Sequence, residues 1–228
     1  MTMTPDLSAR PVASPAANPI PGALVAGVAG PLLLAVGNAL VNFGPIWSDV
    51  ETTADIVRAT GENQAFAEFS TVVGVLAVAL LVPAVWAVTA VLRPRTPTLA
   101  AIGGWMMATG YGMALVLSTE SATALLVAKT GLDPATYVTA VDDQSAISML
   151  LIYTLFGVGA LAGGLILGIA MLRQGGAIPA WAGWALIASE PVRIVGLLAG
   201  IPFGPPLASV LIAAAFTGTL MAARSRKG

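Results

Sequence analysis

The sequence predicts an all-α polytopic membrane bundle of six transmembrane helices with both termini in the cytoplasm. Three observations lead there. The 228 residues are 57% hydrophobic and only 9% charged, far below the quarter or so usual in soluble domains, and the mean hydropathy is +0.89. Apolar runs repeatedly exceed the length of about 20 residues that crosses a hydrocarbon core as a helix. Those runs do not alternate, so the backbone is satisfied within helices and not around a closed barrel.

Residues 1–18, with Pro5, Pro11 and Pro15 among Thr, Ser and Ala, cannot bury a core and read as a disordered cytoplasmic tail ahead of a transmembrane domain over 19–228. The first span, 22–46, is too long for the apolar core of a signal peptide and is therefore retained. It carries Pro31 and, one turn apart in its distal half, Asn38 and Asn42. Residues 47–68 turn acidic, and 52–60 suit a short surface helix stopped by Gly61. The second span, 69–91, contains Pro83 and closes at Arg93 and Arg95, and Pro94 and Pro97 stiffen the turn into a third span over 99–118. In the polar loop 119–145, Asp133 and Pro134 read as N-cap and first residue of a short helix through Ala140. The fourth span, 146–172, stops at Arg173-Gln174-Gly175-Gly176; the fifth covers 178–201; after Pro202 and Gly204 the sixth, 207–223, ends in Arg224, Arg226 and Lys227.

Basic residues set the orientation. One side collects Arg10, Arg93, Arg95, Arg173, Arg224, Arg226 and Lys227, the other only Arg58 and Lys129, which puts both termini inside. Asp49, Glu51, Asp55, Glu62, Glu68, Glu120, Asp133, Asp142 and Asp143 all fall outside, so the net charge of −1 is the sum of two strongly biased faces. A weak internal echo accompanies this layout. Leu92-Arg93 leads to Gly103-Gly104-Trp105 as Leu172-Arg173 leads to Ala182-Gly183-Trp184, compatible with two parallel copies of a helical hairpin or with interfacial tryptophans matched by chance.

The fifth span holds the candidate site. Glu190 and Arg193 sit near its middle, at i and i+3 on one face. Charges at that depth cost about 3 kcal/mol each on insertion scales, so they require partners, water or protonation. Two readings stay open: an ion pair lining a polar cavity where a proton, an ion or a headgroup docks, or a self-neutralising pair with Arg193 snorkelling outward beside Pro191. Asn38 and Asn42 either complete that polar cluster or serve as interhelical hydrogen-bond glue. Tyr111 and Tyr153 are weaker candidates for the same place. The small-residue pairs Gly159/Gly163, Gly164/Gly168 and Gly196/Gly200 allow close helix approach, within the bundle or between copies.

Much chemistry is excluded by composition. Without cysteine or histidine there is no disulfide, no thiol nucleophile and no imidazole base or metal ligand. No nucleophile elbow, phosphate loop or dinucleotide fingerprint occurs, and neither lysine lies in a span near a serine. No enzyme, cofactor, metal or nucleic-acid partner is expected.

Ala54-Asp55-Ile56-Val57 through Glu62-Asn63-Gln64 and Phe66, followed by the segment from Val75 to Pro83, Arg93, Pro97 and Gly103-Gly104, resembles small multi-pass membrane proteins common in actinobacteria and grouped under a domain of unknown function. The resemblance covers about the first half of the chain. It implies a similar helical bundle and lends no activity or site residues. The functional expectation is a non-enzymatic, multi-pass bacterial plasma-membrane protein with an accessory, sensing or lipid-binding role. Its expected partners are membrane lipids and a second copy or another membrane protein. The alternative is a small transporter or channel subunit, proton-coupled through Glu190.

Overall fold

Among the described residues of the computed structural model there are eight helices: α1 (Ala23–Phe43), α2 (Thr53–Glu62), α3 (Gln64–Leu92), α4 (Pro97–Thr130), α5 (Pro134–Asp143), α6 (Ile147–Leu172), α7 (Ala180–Leu198) and α8 (Gly204–Ser225). Residues 22–47, 50–130, 132–143 and 147–226 are described; the tail 1–18 and Lys227 lie outside the described residues. No strand occurs among those described. Five helices (α1, α3, α4, α6 and α8) are long and apolar enough to cross a membrane. The segment expected as a fifth span, α7, is a helix of 19 residues but falls outside that set. Ser189, Glu190, Pro191 and Arg193 dilute its apolar content.

The long helices form a closed ring. Each packs on the next in the order α1, α3, α4, α6, α7, α8, and α8 returns to α1. Glycines record the antiparallel sense of each contact. A Cβ at Gly30 of α1 would strike the backbone of Leu81 on α3, while Gly104 of α4 lies against Thr89 of α3. Gly110 of α4 meets Gly159 and Ala160 of α6, and Gly168 of α6 meets Gly183 and Ile187 of α7. Gly196 of α7 touches Gly204 of α8, and Gly27 of α1 faces Leu220, so the start of α1 lies beside the end of α8. With no Cβ, such residues let helix backbones approach closely, and dispersion contacts replace the missing hydrophobic drive between helices in lipid. The interior is filled by Leu81, Val85, Met107, Leu167, Leu186 and Phe216, all fully buried.

The third span runs longer than its apolar content predicts. Residues 119–130, expected as loop, continue α4. The reason lies in α2, which begins at a capping box formed by Thr52 and Asp55. Its Val57 packs on Ala124 and Val127 of that extension, together with Tyr137 and Val138 of α5. Ala59 joins Ile46, Ala67 and Leu125 in a second small cluster. The extension thus supplies the apolar surface on which two short helices cover one end of the ring. As expected, Asp133 caps α5, accepting from the amides of Ala135 and Thr136 at 3.1 Å.

At the opposite end the α3–α4 turn is tied to the end of α6. Buried Gln174 donates from Nε2 to the Leu92 carbonyl (3.2 Å) and the Thr96 hydroxyl (2.9 Å), while Arg95 Nη1 donates to the Gln174 carbonyl (2.8 Å). The two hairpins of the internal echo meet here. In each, a glycine (Gly104 or Gly183) sits on the hairpin contact and the next residue, Trp105 or Trp184, points outward.

Candidate functional site

Glu190 stands on the inner side of α7 and is 1% exposed. Room for it comes from α6: a Cβ at Gly164 would lie 2.9 Å from its Oε1. The neighbouring Ser189 Oγ donates to the Leu186 carbonyl at 2.7 Å and stands 3.3 Å from Glu190 Oε1. One turn along, the Arg193 guanidinium folds back so that Nε lies 3.5 Å from Glu190 Oε2. Its Nη2 donates at 3.1 Å to the hydroxyl of Tyr111, which reaches in from α4. Tyr111 is fully buried, with its ring edge-on to Phe156 of α6 at 6.3 Å and 73°.

The predicted pair is therefore closed on itself in the bundle interior, and of the two tyrosines only Tyr111 joins it. The pairing is electrostatic more than hydrogen-bonded. Neither Glu190 Oε2 nor Arg193 Nε has a hydrogen-bond partner, and 3.5 Å is long for a charge-assisted bond. Tyr153 stands instead at the other end of the ring, half exposed, with its hydroxyl 3.4 Å from Glu120 Oε2.

Asn38 and Asn42 are placed elsewhere. Asn38 donates to Ser209 Oγ at 2.9 Å and to the Pro205 carbonyl at 3.4 Å, both on α8, and Asn42 donates back to the Asn38 carbonyl at 2.7 Å. No hydrogen bond joins either to Glu190 or Arg193. Their arrangement is the interhelical glue reading, fastening the joint at which the ring closes. The glycine pairs of α6 likewise act inside the molecule: Gly159 and Gly163 face α4, Gly164 and Gly168 face α7.

Sequence reasoning passed over Ser189, Ser209 and Gln174. Ser189 is signalled by its position directly before Glu190. The other two carry no pattern, since each matters only through a helix distant in the chain. Among the described residues no three potential metal ligands of the Asp, Glu, His or Cys type converge. Chemically, the cluster offers one buried acid, one buried cation and one phenol, held by α4, α6 and α7 together. Comparison with protein-family models, curated proteins and solved structures returned no match.

Proposed function

We propose that this chain is a non-enzymatic, multi-pass bacterial plasma-membrane protein with six spans and both ends cytoplasmic, serving an accessory, sensing or lipid-binding role. The observation that carries this reading is the closure of Glu190 on Arg193 under Tyr111, in a packed interior where Gly164 leaves room for the carboxylate and little else. A conduction path needs a polar route to at least one face. One open cleft, of about 480 Å³, is lined by residues 95–99 and Arg173 and by none of the four candidate residues. The charged group then acts as an internal clasp that sets how α4, α6 and α7 sit against one another.

Support for counting α7 as a span comes from its neighbours and its length. It packs antiparallel between α6 and α8 from Gly183 near one end to Gly196 near the other, and 19 residues of helix rise about 28 Å, close to the hydrocarbon thickness. The absence of native cysteine makes the topology directly testable. Glu62→Cys should react with a membrane-impermeant maleimide in intact cells, and Ser225→Cys only after permeabilisation. Labelling of Ser225→Cys in intact cells would remove α7 from the spans.

The alternative, a small proton-coupled transporter or channel subunit, draws on one specific observation: Glu190 Oε2 and Arg193 Nε lack hydrogen bonds, leaving a group that a proton or ligand could complete. Proton flux into liposomes holding the purified protein separates the two readings. No flux above empty liposomes is expected from the parent or from Glu190→Gln. Parental flux abolished by Glu190→Gln would establish the alternative.

A further inference from the structure

At the end of the ring opposite α2 and α5, a cleft of about 480 Å³ opens between the α3–α4 turn and the end of α6, lined by Arg95, Thr96, Pro97, Thr98, Leu99 and Arg173. Its walls are fixed in place. Buried Gln174 bridges the Leu92 carbonyl, the Thr96 hydroxyl and the Ala170 carbonyl at 2.9–3.2 Å, and its own carbonyl holds Arg95 Nη1 at 2.8 Å. Arg95 is thereby anchored through one nitrogen with its other side-chain donors free, and the Arg173 side chain makes no hydrogen bond among the described residues, its backbone amide alone donating to the Ile169 carbonyl.

These guanidiniums have no acid to answer them. Arg93, Arg95, Arg173, Arg224 and Arg226 all lie at this end, whereas the ion pairs among the described residues belong to Arg58, Lys129 and Arg193. Glu190, set against Gly164 about 14 Å along α6 from Arg173, is already paired with Arg193, and Glu120, on the same helix as Pro97, is about 35 Å away along the axis. Both Arg95 and Arg173 are exposed and no described acid competes for them, so the cleft is open to an external anion. The depth of the cleft indicates which. Trp105 and Trp184 are exposed on the outer surface of the ring, as aromatic anchors are at the membrane interface. Pro97 lies eight residues before Trp105, about 12 Å further out along α4, at the level of lipid phosphates. Pro97 and Leu99 add an apolar part to the lining, which a free anion would not use.

We infer that this cleft binds the phosphate of an anionic phospholipid headgroup from the cytoplasmic leaflet, gripped by Arg95 and Arg173 with the Thr98 hydroxyl as an additional donor. Guanidinium forks match phosphate oxygens in charge and geometry. The assignment rests on the membrane orientation proposed above and names the lipid class that the site selects.

The test uses the full chain purified in detergent, with bound lipid counted by native mass spectrometry in the presence of phosphatidylglycerol or phosphatidylcholine. Retention of phosphatidylglycerol over phosphatidylcholine is expected, and Arg95→Gln/Arg173→Gln should lower it by about thirtyfold, as loss of two basic side chains at an anionic surface implies. Since Arg95→Gln also removes the bond to Gln174, Arg173→Gln alone is the second variant; it should lower retention severalfold in a normally folded protein. Arg224→Gln/Arg226→Gln removes the same charge outside the cleft and should change retention little. An equal loss in that control would mean diffuse attraction to a basic face and would overturn the site, as would equal retention of the two lipids. Complete displacement by millimolar inorganic phosphate would assign the cleft to a free anion. Release of the chain from membranes by alkaline carbonate would sink the orientation itself; retention in membranes without lipid preference would sink this inference alone.

Discussion

Breaking a buried ion pair from one side leaves a charge without compensation, whereas replacing both partners with apolar residues removes the problem along with the attraction. Arg193→Met is accordingly expected to destabilise the protein by about 3–5 kcal/mol, because Glu190 would be left buried against Gly164 without a cation, with Ser189 Oγ at 3.3 Å. Glu190→Leu/Arg193→Met should recover much of that loss. Unfolding in mixed micelles, followed by circular dichroism, measures both; a double variant as unstable as the single one would mean that the pair is worth more than its desolvation. The residues of this cluster show how far the sequence could be read. Glu190 and Arg193 are conspicuous because charge is rare in an apolar helix, and their i, i+3 spacing already pairs them. Tyr111 was a weak candidate because a phenol in mid-helix has many reasons to be there. The partner of Asn38 was not legible for a different reason: its depth along α1 follows from the sequence, and so does its use as interhelical glue, but the neighbour on its side of the ring is α8, and nothing local in either helix specifies that adjacency.

At the level of elements, α6 is the helix whose composition explains most. Its glycines divide between two neighbours, and the cost of filling each site depends on what stands opposite. Gly110→Ala on α4 would drive a methyl into the backbone of α6 at Ala160, which cannot move without moving the helix. Gly164→Ala would meet the end of the Glu190 side chain, which can turn aside. Both overpack, at about 1–3 kcal/mol, and Gly110→Ala is expected to be the worse in thermal stability; the reverse order would show that the Glu190 carboxylate is held more rigidly than a helix backbone. The surface helix α2 answers to a different force. Thr52 hydroxyl and Asp55 carboxylate cap its start reciprocally, and hydrogen bonding from Thr52, then from Arg58, holds the Asp55 carboxyl below its usual value. A depressed carboxyl stabilises the folded form above its unfolded pKa of about 3.9 and loses that contribution as pH falls through the lower folded value. At each pH, amide exchange in α2 should therefore be slowed relative to the intrinsic rate of an unfolded peptide, and that protection should fall below about pH 4. Thr52→Ala should lower it at every pH, by about 1 kcal/mol of local stability. The start of this helix was legible because capping chemistry is local. The continuation of α4 past Ser118 was not, because Thr119, Glu120 and Ser121 read as a loop until Val57 and Tyr137 are seen packing on Ala124 and Val127.

For the whole molecule, the alternation of apolar runs with charged turns made the all-helical bundle legible, and the uneven placement of arginines suggested which end faces the cytoplasm. What the alternation could not convey is that the helices close into a ring, since closure depends on α1 and α8, elements from opposite ends of the described chain. Ring closure makes a prediction at this scale. Ser209→Ala leaves the Asn38 amide with the Pro205 carbonyl at 3.4 Å as its remaining partner, and interhelical bonds of this type contribute about 0.6 kcal/mol on average. The variant should lose about that much stability while proteolysis in detergent shifts toward the segment joining α7 to α8. Unchanged proteolysis would mean that Gly27 against Leu220 holds the seam without help.

Ring closure also has a consequence in time. Ribosomes deliver helices in order, so α1 is made before α8 and waits for it, its Asn38 amide without Ser209 and its Gly27 face bare until α8 is released. For that interval an early helix stays less finished than those made after it, and any membrane chaperone or protease that inspects nascent spans would meet it there.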